Sequence, residues 1–169
     1  MAVKTSGKVV AVVNDDKFRE TARLAGYQMA NSFVAQHMIL SAALDMKPVK
    51  MLVFMTIATA TVQKFMRQRE IPEELAGTQR LSRDFIGYIS RRAIASATGL
   101  PRETVRRAII ELENDGLLIS GPNGSVANKG QILERPEIVD ALRLLTHEIS
   151  SSAEKLVNLR ILEIKDVKG

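Results

Sequence analysis

The chain has no cysteine and no tryptophan, only two tyrosines and five phenylalanines, two histidines and five prolines. Each shortage excludes something. Without cysteine there is no disulfide, no thiolate chemistry and no Cys-based zinc site. Aromatics make up 4% of the chain against 46% hydrophobic residues overall. The core should therefore be aliphatic and helix-rich, and the hydrophobic fraction is too high for a disordered chain. His37 and His147 are single histidines, far apart and on expected helices, so both read as structural or surface residues. No H-x-x-x-H, G-x-S-x-G, P-loop or G-x-G-x-x-G pattern occurs. The expectation is a protein that is not an enzyme, with no cofactor and no metal. Long apolar runs are missing too. Lys8 to Val13 is too short for a signal peptide. Met51 to Val62, bracketed by Lys50 and Lys64, spans 12 residues, against about 20 needed to cross a bilayer. No membrane contact and a cytoplasmic home are expected.

What is present fits one domain, or a small domain with a helical extension, within 169 residues. The net charge of +5 and pI near 9.7 favour a polyanionic partner. The bias is sharper locally: Arg91, Arg92, Arg102, Arg106 and Arg107 face a single acid, Glu103, over the same span.

That span lies in the stretch that organises the chain, Ile89 to about Gly130. Two short helices are expected across the turn Ala97-Thr98-Gly99-Leu100. Gly99 can take the left-handed conformation that ends the first helix. Pro101 suits the first turn of the second, predicted over 101–114. There Val105, Ala108, Ile109 and Leu112 share one face at the spacing of a buried stripe, and Arg102, Glu103, Arg106 and Arg107 lie on or beside the other. Gly116 stops this helix, and a hairpin follows over 117–133, with its tip at Gly121-Pro122-Asn123-Gly124. Its far strand is either Ser125 to Ala127 or Gln131 to Leu133. The fold class expected from these elements is mainly α with a small β-hairpin.

The rest of the chain frames this stretch. Residues 1–15 read as a flexible or strand-like tail. Lys8 to Val13 has strand composition and no hairpin partner after it; it pairs with its own copy in a dimer, covers a sheet edge, or is disordered. Asn14-Asp15-Asp16 supplies helix N-cap chemistry. A long N-terminal helix is expected within 16–47, with Phe18, Ala22, Ala25, Met29, Phe33, Gln36, Leu40 and Ala43 at helical spacing. Pro48 opens a second helix to about Arg69, apolar nearly all round and so expected to be buried on most sides; its β-branched content leaves room for some strand. Residues 71–78 form a connector or a short helix, and 82–88 a helical turn before a short strand at Ile89-Ser90. A last helix is expected from Pro136 to Glu163, within a C-terminal segment 135–169.

Ala95, Gly99 and Val105 stand at offsets 0, 4 and 10, the small residue, turn glycine and core residue that a helix-turn-helix requires. With the arginine-rich second helix and the hairpin after it, TGLPRETVRRAIIELENDGLL resembles the winged helix-turn-helix of bacterial transcription regulators of the GntR, IclR and MarR type. The resemblance covers about a quarter of the chain. It implies a winged-helix domain over 48–134, flanked by long N- and C-terminal helices that pair in a homodimer. It also implies sequence-specific binding of double-stranded DNA at a pseudo-palindromic site, with 101–114 as recognition helix in the major groove and 117–133 as wing. The expected DNA contacts are Arg102, Glu103, Thr104, Arg106 and Arg107 on the recognition helix, Arg91 and Arg92 on phosphates, and Asn123, Ser125 and Lys129 on the wing. Two plainer readings stand beside these: Glu103–Arg107 as an i,i+4 surface ion pair, and the wing as an exposed turn. A Met-rich, Thr-lined helix pair also leaves room for a small-molecule effector.

Overall fold

The computed structural model describes residues 2–4, 9–67 and 70–166. In chain order the elements are β1 (Ala2–Lys4), β2 (Val9–Val13), α1 (Asp15–Leu44), α2 (Pro48–Met66), β3 (Glu70–Pro72), α3 (Arg91–Thr98), α4 (Arg102–Asn114), β4 (Leu118–Ser120), β5 (Val126–Asn128), α5 (Pro136–Asn158) and β6 (Leu162–Asp166). The fold is mainly helical with small antiparallel strand pairs: β1 with β3, β2 with β6, and β4 with β5. The chain divides into two compact units. One comprises Leu44–Val139 and the β1 strand; the other holds β2, α1 as far as Ala43, and the chain from Asp140 onward.

The first unit is built on α2. Pro48 stands in its first turn, with Lys47 extended before it. Val53, Phe54, Ile57 and Thr61 are buried, and the helix packs on α3, α4 and β5. The β-branched residues do not break it, because packing overrides weak local preference. The helix spans 19 residues, of which the apolar run Met51 to Val62 is only part, and by length and composition alone it could cross a membrane. The expected burial on most sides changes: one side is buried, and Leu52, Met55 and Met66 on the other are exposed. The helix ends at Met66, capped by Arg67, a little before the expected end at about Arg69, and residues 68–69 lie outside the described residues.

The helix pair forms as the turn chemistry predicts. Ser90 caps α3 by accepting the Ala93 N–H at 3.2 Å, and Gly99 closes it at φ 69°. In α4, the predicted stripe of Val105, Ala108, Ile109 and Leu112 is buried. Gly116 (φ 70°) turns the chain into β4. Of the two candidates for the far strand, the first forms, one residue later than expected, as Val126–Asn128 rather than Ser125 to Ala127, in register Leu118↔Asn128, Ile119↔Ala127 and Ser120↔Val126; Ile132–Glu134 is a 3-10 turn instead. On the other side of β5, Ile89 and Val126 exchange two backbone hydrogen bonds of 2.9 Å. A 3-10 turn stands at Arg83–Phe85, where one helical turn was expected, and another at Glu73–Leu75. The N-terminal tail is not wholly loose: Ala2–Lys4 pairs with Glu70–Pro72.

The second unit departs more from expectation. The last helix ends at Asn158, not Glu163. The chain turns through Arg160 (φ 56°), and Leu162–Asp166 pairs antiparallel with Val9–Val13. The strand-like tail therefore has a partner, drawn from the far end of the sequence. Asn14 joins β2 to α1: its side chain accepts the Lys17 N–H at 3.0 Å and donates to Glu163 Oε1 at 2.8 Å, and its N–H donates to Ile161 O at 2.9 Å. Within α1, Thr21 is non-helical (φ −121°, ψ 22°) and its hydroxyl bonds back to Lys17 O at 2.6 Å, a known cause of helix bending.

The residues α1 buries are small or polar: Ala25, Gln28 and Ser32, with Gln28 Nε2 donating to the buried Ser152 Oγ of α5 at 2.9 Å. The large apolar residues face outward. Tyr27 is 71% exposed, Phe33 72% and Met38 66%, and on α5 Leu144 and Ile149 are exposed as well.

Candidate functional site

The exposed face of α4 carries Arg102, Glu103, Arg106 and Arg107, directly opposite its buried stripe. Helical spacing places Glu103 beneath both Arg106 and Arg107. Arg106 grips its carboxylate with two bonds of 2.7 Å, and Arg107 Nε donates to it at 3.0 Å. The Arg106 guanidinium, and then that of Arg107, hold the Glu103 carboxyl at about 2, and Glu103 in turn raises Arg106. The two arginines are thus partly neutralised where they stand. The plainer reading of this face, a surface ion pair, is present as a three-membered cluster, and Arg106 is a fuller partner in it than Arg107.

Arg91, Arg92 and Arg102 are different. All three are exposed, and none makes an ion pair among the described residues. Arg91 and Arg92 occupy the first turn of α3, and Arg102 the first turn of α4. They are the cations of this surface most available to an anionic partner. Thr104 is half-buried and faces a cleft of ≈ 350 Å³ toward α2, lined also by Lys47, Val49 and Lys50.

The hairpin tip is a 3-10 turn over Pro122–Gly124, in which Asn123 adopts φ 55°. The Asn123 side chain is exposed and makes no hydrogen bond among the described residues. The Ser125 hydroxyl closes the turn by donating to Pro122 O at 2.6 Å, which leaves its oxygen free only to accept. Lys129 lies just past β5 and is half-buried, its N–H bonded to Leu117 O at 3.0 Å.

Three supporting residues carry no signal in the sequence. Lys50 of α2 reaches the end of α4, with Nζ 2.5 Å from Asp115 and 3.9 Å from Glu111. Thr61, nearly fully buried, accepts the Asn128 N–H on its hydroxyl at 3.0 Å. Tyr88 packs against Gly121 so closely that a Cβ there would lie 2.2 Å from its ring. Each acts across a long sequence separation, which periodicity and turn chemistry do not register.

His37 stands 3.4 Å from the Ser41 hydroxyl, and His147 is exposed. Among the described residues no group of three or more His, Asp or Glu stands together as a metal site. The cleft beside Thr104, and a second of ≈ 630 Å³ lined by Asn14, Lys17, Val157, Arg160 and residues 162–165, have no methionine in their walls. The Met-rich effector pocket corresponds to neither. No protein-family model, curated protein or solved structure matches this chain.

Proposed function

We propose that the protein is a sequence-specific DNA-binding transcription regulator of winged-helix type, acting as a homodimer. One observation carries the reading: five arginines are exposed on the two helices of a tight turn, while the other faces of those helices are buried in a core with α2 and β5. The order α2, Ile89 bridge, α3, α4, β4, β5 supports it, as does the exposed Asn123 at the hairpin tip. In this reading α4 enters the major groove, where guanidinium groups bond guanine O6 and N7 or grip phosphates. Arg91 and Arg92 hold the backbone, and the hairpin lies on the flanking backbone or minor groove. Two copies set their recognition helices about one DNA turn apart, roughly 34–36 Å, and read a pseudo-palindromic site.

One observation favours a second reading, a winged-helix module for protein contact. Glu103 occupies Arg106 and Arg107 and lowers the positive charge of α4. Selection of bound sequences from random DNA, run at two salt concentrations, separates the two. A regulator enriches one motif and loses affinity steeply with salt. Arg102→Ala then weakens binding to the selected motif by about 1–3 kcal/mol if it reads a base, whereas Arg91→Ala weakens all sequences alike and lowers the salt slope by about 1. Enrichment of no motif, with a variant lacking Arg102, Arg106 and Arg107 binding DNA as the wild type does, overturns the DNA reading.

A further inference from the structure

The ribbon β2–β6 is a sheet of two strands, and all five residues of β2 are exposed. A lone two-stranded ribbon is marginal in water. Its two outer edges are not equivalent. β6 carries Glu163 and Lys165, ion-paired at 3.3 Å, the kind of charge that keeps a strand edge from pairing further. Val9-Val10-Ala11-Val12-Val13 has no charge, no proline and no glycine. Among the described residues its edge has none of the usual protection, and valine is a strong strand former.

The direction of the backbone groups on that edge follows from the register. The Asn14 N–H points to Ile161 O, one step beyond the pair Val13↔Leu162. Backbone groups alternate sides along an antiparallel strand. Val12 and Val10 therefore bond to β6, while Val13, Ala11 and Val9 direct their N–H and C=O groups to the open edge. The sequence of β2 reads the same in both directions about Ala11. Run antiparallel to itself, it sets Ala11 against Ala11, Val9 against Val13 and Val10 against Val12. The three outward-directed residues then meet three outward-directed residues, and each such pair exchanges two backbone hydrogen bonds. A slip of one residue would oppose outward to inward groups and turn the apolar face over. In the unslipped register the face formed by Val9, Ala11, Val13, Leu162 and Ile164 continues across the join into its own copy.

We propose that β2 pairs with β2 of a second copy about a two-fold axis at Ala11, giving a continuous four-stranded antiparallel sheet β6-β2-β2-β6. The inference deepens the homodimer reading above and rests on it: it assigns the strand that joins the two chains.

Ala11 is the position that meets itself across this axis, at about 5.5 Å between Cα atoms, within disulfide range. Val13 lies four residues from its own copy, roughly 14 Å away. The chain has no native cysteine, so Ala11→Cys and Val13→Cys of the full chain each carry one thiol. Mild oxidation is expected to give a covalent dimer for Ala11→Cys and far less for Val13→Cys. Ala11→Pro removes an N–H that faces the open edge and not β6, so the ribbon within one chain keeps its hydrogen bonds. It should sediment as a monomer at concentrations where the wild type is a dimer, with an unchanged circular dichroism spectrum. A dimeric wild type whose Ala11→Cys variant cross-links no better than Val13→Cys overturns the strand pairing and leaves the homodimer standing. A dimeric Ala11→Pro protein overturns it equally. If Ala11→Pro fails to fold, the cysteine pair decides alone. A wild type that sediments as a monomer overturns the strand pairing and the homodimer together.

Discussion

The Thr61 hydroxyl donates to Ile57 O at 2.8 Å and accepts the Asn128 N–H at 3.0 Å, so one side chain inside α2 fastens the return strand of the hairpin. The Thr61 carbonyl also accepts the Gly87 N–H at 2.8 Å, and Asn128 Oδ1 accepts the Gly130 N–H at 2.6 Å. One residue of α2 thereby holds both the end of β5, through its hydroxyl, and the chain just before Ile89, through its carbonyl.

Thr61→Val keeps the shape of the side chain but leaves the Asn128 N–H without a partner in a buried position. The expected cost is about 1–3 kcal/mol, read as a lower midpoint of denaturant unfolding. Thr61→Ser retains the hydroxyl and should recover most of the loss. Equal stability of the valine and serine variants would show that the hydrogen bond contributes little.

The Glu103 cluster responds to pH in one direction. Its carboxyl is held at about 2, below the ordinary value of 4.5. A depressed carboxyl contributes stability that is present above its unfolded value and lost as pH falls through its folded one. The cluster should therefore be intact at neutral pH and release Arg106 and Arg107 between pH 4.5 and about 2. Being solvent-exposed, it should add little to stability. Glu103→Gln releases both arginines at neutral pH. In the DNA-binding reading this raises affinity for random-sequence DNA and steepens its salt slope by about 1–2. Anisotropy titrations across a salt series measure both, and an unchanged slope would mean that neither arginine meets a phosphate.

Two glycines should respond differently to the same substitution. A Cβ at Gly99 would touch nothing within 4 Å, so Gly99→Ala meets only the cost of a positive φ, about 1–2 kcal/mol. Gly99→Asn should cost less. At Gly121, φ is −115° and the backbone is unstrained, but an added methyl would run into the ring of Tyr88 at 2.2 Å and the Ser125 hydroxyl at 2.7 Å. Gly121→Ala should therefore be rescued in part by Tyr88→Ala, the Ser125 hydroxyl still having to give way, while Gly99→Ala should not be rescued at all. Melting temperatures of the two double variants test this.

Local chemistry explains which parts of the fold were legible in the sequence. Gly99, Gly116 and the stripe from Val105 to Leu112 determine structure within a few residues of themselves, and there the expected turn, helix and hairpin match the fold. The end of α5 was not legible. Leu159, Ile161 and Leu162 continue a helical spacing with no proline or glycine to stop it, yet pairing with β2, nearly the whole chain away, takes residues 162–166 into a strand. The arginines of the candidate site could be read from composition. The hold of Glu103 on Arg106 as well as Arg107 could not, because spacing alone does not say which i,i+3 or i,i+4 partner a carboxylate takes.

Phe33 is 72% exposed on α1, a helix whose buried positions are Ala25, Gln28 and Ser32. Between Arg23 and Asp45 that helix carries no lysine, arginine, aspartate or glutamate. A surface helix of a globular unit normally turns its apolar side inward and its charged side outward. Here the small and polar residues lie inside, and Tyr27, Met29, Phe33 and Met38 lie outside. Apolar faces of this kind mark contact surfaces, and a two-fold dimer covers the face of both copies at once. Phe33→Glu should leave the fold of the single chain intact, since the ring packs on little within it. It should weaken self-association and, in the homodimer reading, binding to a two-half-site DNA, while leaving the salt slope for a single half-site unchanged. Sedimentation of wild type and variant at micromolar concentration gives the first result, and anisotropy with full and half sites the second. A Phe33→Glu protein that stays a dimer with unaltered full-site affinity would show that this face of α1 adds nothing to the contact between copies.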